Sequence, residues 1–283
     1  MEQSAIQEEM IRHRAEVQEP AFAILRERQA SRPGAMRKEP VTFAYHDADY
    51  YRQVLDGIDP RLPHLDADAI INHLTLGISW RPNDHYLWNL PLAGYIASHH
   101  DYLLVLYFGA YRPGLVEPGC YLVINAWANS VAIVPPLSRC CFSSTSPCGI
   151  IGTGVAVLRH NEFGDYVLAE LCLHRDSRSH LLPTNKATLF LWWSPSSGPP
   201  AGRWMQEEVV LPLPTDIDHT VTFRADMAFA VSSTTLCWAD LRTGVLVCSG
   251  IDRLAAGAGT AHDCLVFRFI PLPEECARKP DLL

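Results

Sequence analysis

His99, His100 and Asp101 place a His-x-Asp pair directly ahead of an apolar run, with His160, His174 and His180 downstream. Two histidines and one carboxylate are the ligand set that holds a non-haem iron with positions open for oxygen chemistry. A two-residue motif completed by any later histidine arises easily by chance. An oxygenase of that class also needs a double-stranded β-helix and a partner arginine, and a motif without its scaffold assigns no activity. The competing reading is a polar stretch leading into a strand after GYIAS (94–98).

Cys140, Cys141 and Cys148 cluster in SRCCFSSTSPCGIIGTG. A structural zinc site wants two separated pairs of ligands at short spacing, and the second pair is missing. The cluster therefore reads as a loop rich in Ser and Pro. GIIGTG in the same segment does not follow the glycine order of a dinucleotide site, and no βαβ unit surrounds it. No Gly-x-Ser-x-Gly elbow or phosphate-cradling lysine motif gives a hydrolase or NTPase reading an anchor. Trp192, Trp193, Trp204 and Trp238 could line an aromatic binding surface, but core packing is the more economical reading. Trp192 and Trp193 are neighbours on a strand, so they must point to opposite faces. No catalytic, cofactor or metal residue is assigned, and the chain is read as a non-enzyme without a cofactor.

The elements that would position such residues follow from composition and pattern. With 283 residues, 48% hydrophobic and 19% charged, the chain can bury one large core or two modest ones. A net charge of -8, from 23 basic against 31 acidic residues, argues against a nucleic-acid surface. The start, MEQSAIQEEMIRHR, has no apolar h-region, and Tyr102 to Ala110 is too short to span a bilayer. The expected location is inside the cell, cytoplasmic or nuclear, with neither nucleic acid nor membrane as partner. Of nine cysteines, Cys172, Cys237, Cys248 and Cys264 lie in apolar runs and read as reduced core residues.

Residues 1–40 form a helical N-terminal extension and linker: Ile6, Met10, His13 and Val17 recur at helical spacing, Pro20 interrupts, and SRPGAMRKEP (31–40) clusters Pro, Gly and charge. Residues 41–85 are mixed, with VTFAYH as a strand, DADYYRQVLDGI as a short helix and DADAIINHLTL as a second stretch capped by Asp66 or Asp68. Residues 86–283 read as strand after strand. Runs that end near Pro135, Pro183, Pro212 and Pro271 mark strand ends or edges, because proline cannot donate to a ladder.

Two hairpins share a turn design. TLCWADLRTGVLVC (235–248) turns between Asp240 and Gly244, and YLVINAWANSVAIV (121–134) turns between Asn125 and Asn129. The first side chain of each turn can accept amides two or three residues on, and the last residue tolerates positive φ. A third, looser hairpin runs from TLFLWW to RWMQEEVVLP (188–212). Leu236 and Trp238 share one face of their strand, leaving Cys237 and Ala239 as a small face suited to packing against a neighbouring sheet. Radially stacked four-stranded blades with a period of about 40 to 50 residues bury both faces in this way. About four blades' worth of chain follows Tyr86; a sandwich is the structural alternative.

CYLVINAWANSVAIVPPL, LCWADLRTGVLVCSGI and LVFRFIPLP resemble a large plant family, expanded in grasses, that carries a domain of unknown function and looks like kelch-type, F-box-associated propellers. The resemblance spans about residues 95–275. It rests on Trp238, Asp240, Gly244, Pro271 and Pro273, with Asn125, Pro135 and Pro136 matching the earlier hairpin. All are structural in character, and the resemblance brings no catalytic residue. Family members continue past Pro-Leu-Pro with further β-rich sequence whereas this chain stops at Leu283, so the resemblance implies a shortened member. The N-terminal region shows no F-box-like run. The expectation is a mainly β, propeller-like and incomplete array of antiparallel sheets that binds an unknown protein partner through loops such as 112–119, 139–149 and 194–203. The alternatives are the iron oxygenase built on His99 and Asp101, and a truncated paralogue with little function of its own.

Overall fold

A computed structural model of the chain describes residues 36–41, 48–61, 75–78, 93–109, 120–135, 137, 155–161, 164–175, 183–194, 202–214, 223–255 and 261–273. The N-terminal helical extension, Cys140, Cys141, Cys148, the 149–154 glycines, His180 and the loops 112–119 and 139–149 lie outside these residues, as does most of 194–203.

The described chain begins with β1 (Arg37–Lys38), helix α1 (Ala48–Asp56) and a small antiparallel pair, β2 (Ile58–Arg61) with β3 (Thr75–Ile78). Three antiparallel sheets follow, each a meander of four consecutive strands. The first is β4 (Ala93–His100), β5 (Leu103–Gly109), β6 (Cys120–Asn125) and β7 (Ser130–Val134). The second is β8 (Val155–Arg159), β9 (Tyr166–Arg175), β10 (Pro183–Trp193) and β11 (Trp204–Val210). The third is β12 (Met227–Ser232), β13 (Thr235–Asp240), β14 (Gly244–Ser249) and β15 (Val266–Pro271), with short helices α2 (Ile251–Ala255) and α3 (Ala261–Cys264) between its last two strands. Against the outer edge of the first sheet, β1 adds a fifth strand, parallel to β7. No helix among the described residues is long and apolar enough to cross a membrane.

One backbone hydrogen bond recurs in all three meanders. The residue that follows the third strand donates its N–H to a carbonyl at the start of the second: Ala126 to Tyr102 at 3.0 Å, Ser194 to Tyr166 at 2.9 Å and Gly250 to Thr234 at 3.3 Å. Among the described residues, the three large sheets therefore repeat one four-stranded unit. That repeat corrects the pairing of hairpins read from sequence. Residues 121–134 join the third and fourth strands of their sheet, but 235–248 join the second and third. The hairpin equivalent to 121–134 is the looser one, β10 with β11. Turn chemistry is local and reappears wherever a hairpin needs a tight reversal, so shared turns do not establish equivalent positions.

The first strands β4, β8 and β12 lie against one another, and the sheets stack face to face from that shared edge. At the junction Ser98 is buried; its hydroxyl accepts the Val157 N–H at 3.1 Å and donates to the Ala228 carbonyl at 3.4 Å. One side chain thus ties three sheets.

The second sheet lies in the middle, which explains the apolar runs at 155–158, 166–169 and 189–193, buried on both faces. Val157, Tyr166, Leu168, Phe190 and Trp192 face the first sheet, whereas Leu158, Val167, Leu189, Leu191 and Trp193 belong to a second core shared with the third sheet. Trp192 and Trp193 accordingly serve different cores, and Trp192, Trp193, Trp204 and Trp238 are all buried, so they form no aromatic surface. The third sheet reverses one expectation: the face that meets the second sheet is the large one, with Trp238 and Leu246 fully buried, and Cys237 and Ala239 point the other way. A tryptophan left facing water would forfeit more apolar burial than a cysteine and an alanine together.

On the side of the first sheet turned away from the second, Leu106, Leu122, Ile124, Val131 and Ile133 are buried, and Tyr51, Val54 and Leu55 of α1 enter the same core at helical spacing. Cys120, Cys172, Cys237, Cys248 and Cys264 are buried free thiols, and burial pushes Cys120 and Cys248 up to about 12, as expected of inert core residues. Pro135 directly follows β7, Pro183 opens β10, and Pro271 closes β15, so each occupies a strand terminus.

Candidate functional site

The polar cluster assembled at one end of the first two sheets is built from the hairpin turns that follow β4, β6 and β8. His99 and His100 are the last residues of β4 rather than a stretch preceding a strand. Asp101 takes the turn with φ of 52°, a conformation that aspartate tolerates better than most residues. Arg159 ends β8 and organises the cluster. Its backbone N–H donates to His100 Nδ1 at 3.1 Å, its Nε to the Asn161 carbonyl at 3.0 Å and its Nη1 to Asp101 Oδ2 at 3.3 Å. The guanidinium lies 5.2 Å from the centre of the Tyr102 ring, and Tyr102 stacks on Trp127 with centroids 5.5 Å apart. A layered Trp–Tyr–Arg platform results, with all three side chains half-buried.

Behind it the turns are knitted together. Asn125 Oδ1 accepts the Ala128 N–H at 2.9 Å, while its Nδ2 crosses to the second sheet and donates to the Gly164 carbonyl at 2.9 Å. Asn161 and Asp165 bond reciprocally, and Asp165 also accepts from the Ser194 hydroxyl. Gly164 has φ of 94°, and a Cβ there would come within 2.9 Å of Asn125 Nδ2. His160 sits edge-on to Trp193, with ring centroids 5.4 Å apart.

Chemically, these groups are occupied by one another. An Nδ1 that accepts an amide proton fixes the neutral His100 tautomer with hydrogen on Nε2. Burial lowers the His100 pKa first of all, Asp101 pulls it back up, and Arg159 and His99 push it further down. The Asp101 carboxylate is held by Arg159. His174 lies eight residues along β9 from Tyr166, roughly 26 Å at strand rise, and its Nε2 is 2.7 Å from Thr188 Oγ1. His99, Asp101 and His174 are therefore not brought to one point. Among the described residues no three His, Cys, Asp or Glu side chains are grouped to hold a metal ion. Successive meanders are also not the double-stranded β-helix that the iron reading requires.

Arg159, Tyr102 and Trp127 were not singled out from sequence. One signal was available: Arg159 is a lone charge closing a run of apolar residues, which marks a strand end where a cation must find partners. The residues that meet it come from 58 positions earlier and could not be paired with it from pattern. Ser98 and Glu170 carried weaker signals of the same kind. Glu170 interrupts an apolar strand and is buried, accepting the Tyr121 hydroxyl at 2.9 Å. No protein-family model, curated protein or solved structure matches the chain.

Proposed function

We propose that this chain is a non-enzymatic interaction module, a propeller-like array of three blades that binds a protein partner through the hairpin turns at one end. The observation that carries this reading is the state of the candidate site. His100, Asp101, Asn125, Asn161 and Asp165 each spend their polar atoms on neighbouring turns, while Tyr102, Trp127 and Arg159 remain half-exposed. A preorganised aromatic and arginine platform is the composition enriched at binding hot spots. Three meanders radiating from shared inner strands favour a propeller-like description over a two-sheet sandwich, and the resemblance to kelch-type, F-box-associated propellers points the same way.

Affinity capture from a native extract with the wild-type chain and with Trp127→Ala tests the reading. The expected result is a partner held by the first and lost by the second. Identical captured sets from both chains would refute a role for the platform. Metal analysis of purified protein addresses the oxygenase alternative: stoichiometric iron together with turnover of a small molecule would replace the binding module with an enzyme.

A further inference from the structure

The end of β4 and the turn after it grip Arg159 twice. His100, the last residue of β4, accepts the Arg159 backbone N–H on Nδ1 at 3.1 Å, and Asp101, next in the chain, takes the guanidinium at 3.3 Å. A third bond, from Arg159 Nε to the Asn161 carbonyl at 3.0 Å, stays within Arg159's own hairpin. The guanidinium lies over the Tyr102 ring and Tyr102 stacks on Trp127, so the seating of Arg159 decides whether the three-layer stack is complete. An imidazole nitrogen accepts an amide proton only while it carries no proton itself. A proton on Nδ1 therefore sets two donors against each other at the Arg159 amide. It also makes the ring a cation beside Asp101, where it competes with Arg159 for the carboxylate and repels the guanidinium. Both grips weaken in one event.

We propose that His100 is an acid-operated latch on the binding end: the neutral ring seats Arg159 on Tyr102, and the protonated ring releases the guanidinium and dismantles the Trp127–Tyr102–Arg159 stack. The proposal rests on the reading of that stack as the binding surface, and adds that a partner is held near neutral pH and let go in mild acid. The groups facing the ring set the direction. Burial favours the neutral form most, Asp101 opposes it, and Arg159 and His99 reinforce it. The latch is accordingly shut at neutral pH and opens only below about pH 6.5, where a free histidine takes up its proton. His174 is also shifted down by burial, but it bonds Thr188 within the second sheet and touches no part of the stack.

Amide exchange measured by NMR on the full chain, from about pH 7.5 down to about pH 5, tests the latch without a partner. With the intrinsic exchange rate divided out, protection of the Arg159 amide should fall about tenfold per pH unit below the His100 midpoint. The Trp127 indole and Tyr102 ring signals should shift with that same midpoint. The Trp238 amide, in the ladder of the third sheet, should keep its protection. His100→Asn, whose Oδ1 can stand where Nδ1 does and takes up no proton, should hold the Arg159 amide across the whole range. His174→Gln should titrate as the wild type does. If His100→Asn does not fold, the wild-type ring decides, because its own carbon-bound proton signals must titrate with the Arg159 amide. Arg159 protection indifferent to pH would overturn the proposal, as would a fall that His100→Asn retains or that Trp238 shares. A latch that opens as expected on a chain that captures no partner would leave the switch standing and remove the binding reading, so the two fail separately.

Discussion

The Asn125 turn and the Asp240 turn use the same chemistry for different ends. In both, the first side chain captures a backbone amide, from Ala128 in one and from Arg242 in the other. In both, the last residue has positive φ, 49° at Asn129 and 153° at Gly244. They differ in what the remaining polar atom reaches. Asn125 Nδ2 spans to Gly164 in the next sheet, whereas Asp240 Oδ2 accepts the Arg224 N–H just ahead of β12 in its own sheet. One turn staples two sheets together, and the other closes a single sheet upon itself. Their last residues are also under different constraint. Asn129 carries a side chain at its position, but a Cβ at Gly244 would lie 2.3 Å from the Ile270 carbonyl oxygen. A local motif becomes intolerant of change only when a neighbouring strand presses on it.

Four changes separate the two turns. Gly244→Ala should do the most damage, destabilising by about 4 kcal/mol through a backbone clash at strained φ; the midpoint of urea unfolding reads it, and a loss under about 1 kcal/mol would show that β15 yields easily. Asp240→Ala should cost roughly 2 to 3 kcal/mol, because a fully buried carboxylate that accepts two amides is lost while water can reach the exposed residues left unpaired. Hydrogen exchange should show this damage confined to the third sheet. Asn125→Ala should cost about 1 to 2 kcal/mol, yet its exchange signature should appear in both the first and second sheets, around Gly164 as well as Ala128. Equal, sheet-confined signatures for the two substitutions would erase the distinction drawn between the turns.

The smallest effect concerns pH. The folded His100 takes up its proton at lower pH than the unfolded chain, whose histidine titrates near 6.5. The unfolded state thus binds more protons in the window between the two values, so stability present above about pH 6.5 is lost as pH falls through the folded pKa. His174 is shifted the same way, chiefly by burial, and adds to the trend. His100→Gln should flatten part of that slope. The loosening at mild acid should appear at the Asn125 end, where His100 accepts the Arg159 amide, before the Asp240 end responds; simultaneous loosening of both would break the comparison.

Much of the strand content was legible because apolar runs and turn residues are short-range signals. Runs read at 121–125, 130–134 and 235–239 fall on β6, β7 and β13. The helix at DYYRQVLD was legible from Tyr51, Val54 and Leu55 at one-turn spacing. Phe223 and Arg224, although VTF (221–223) is a β-branched and aromatic run, precede β12 as an irregular segment. Cys264, at the head of the apolar run that forms β15, closes α3 instead of joining the strand. The strand Ala93–His100 escaped notice because Gly94, Ser98 and two histidines dilute its pattern, although that strand forms the junction of all three sheets.

The candidate site shows the same boundary. His100 and Asp101 were visible as chemistry-bearing residues, but their partners Arg159 and the Trp127–Tyr102 stack come from other hairpins. Which side of β13 would meet the second sheet was also misread: both sides are buried, and alternation separates Trp238 from Cys237 without saying which of them faces that neighbour.

By itself, the sequence determined where strands run, which turns reverse them and which side chains share a strand face, because each of these depends on residues a few positions apart. The tertiary structure alone decided that the four-stranded unit recurs three times among the described residues, that Ser98 and Arg159 lie at its joints, and which face of the last sheet meets the second. Those outcomes depend on which sheet meets which, a balance of burial and polar satisfaction among segments 58 or more residues apart that no local pattern records.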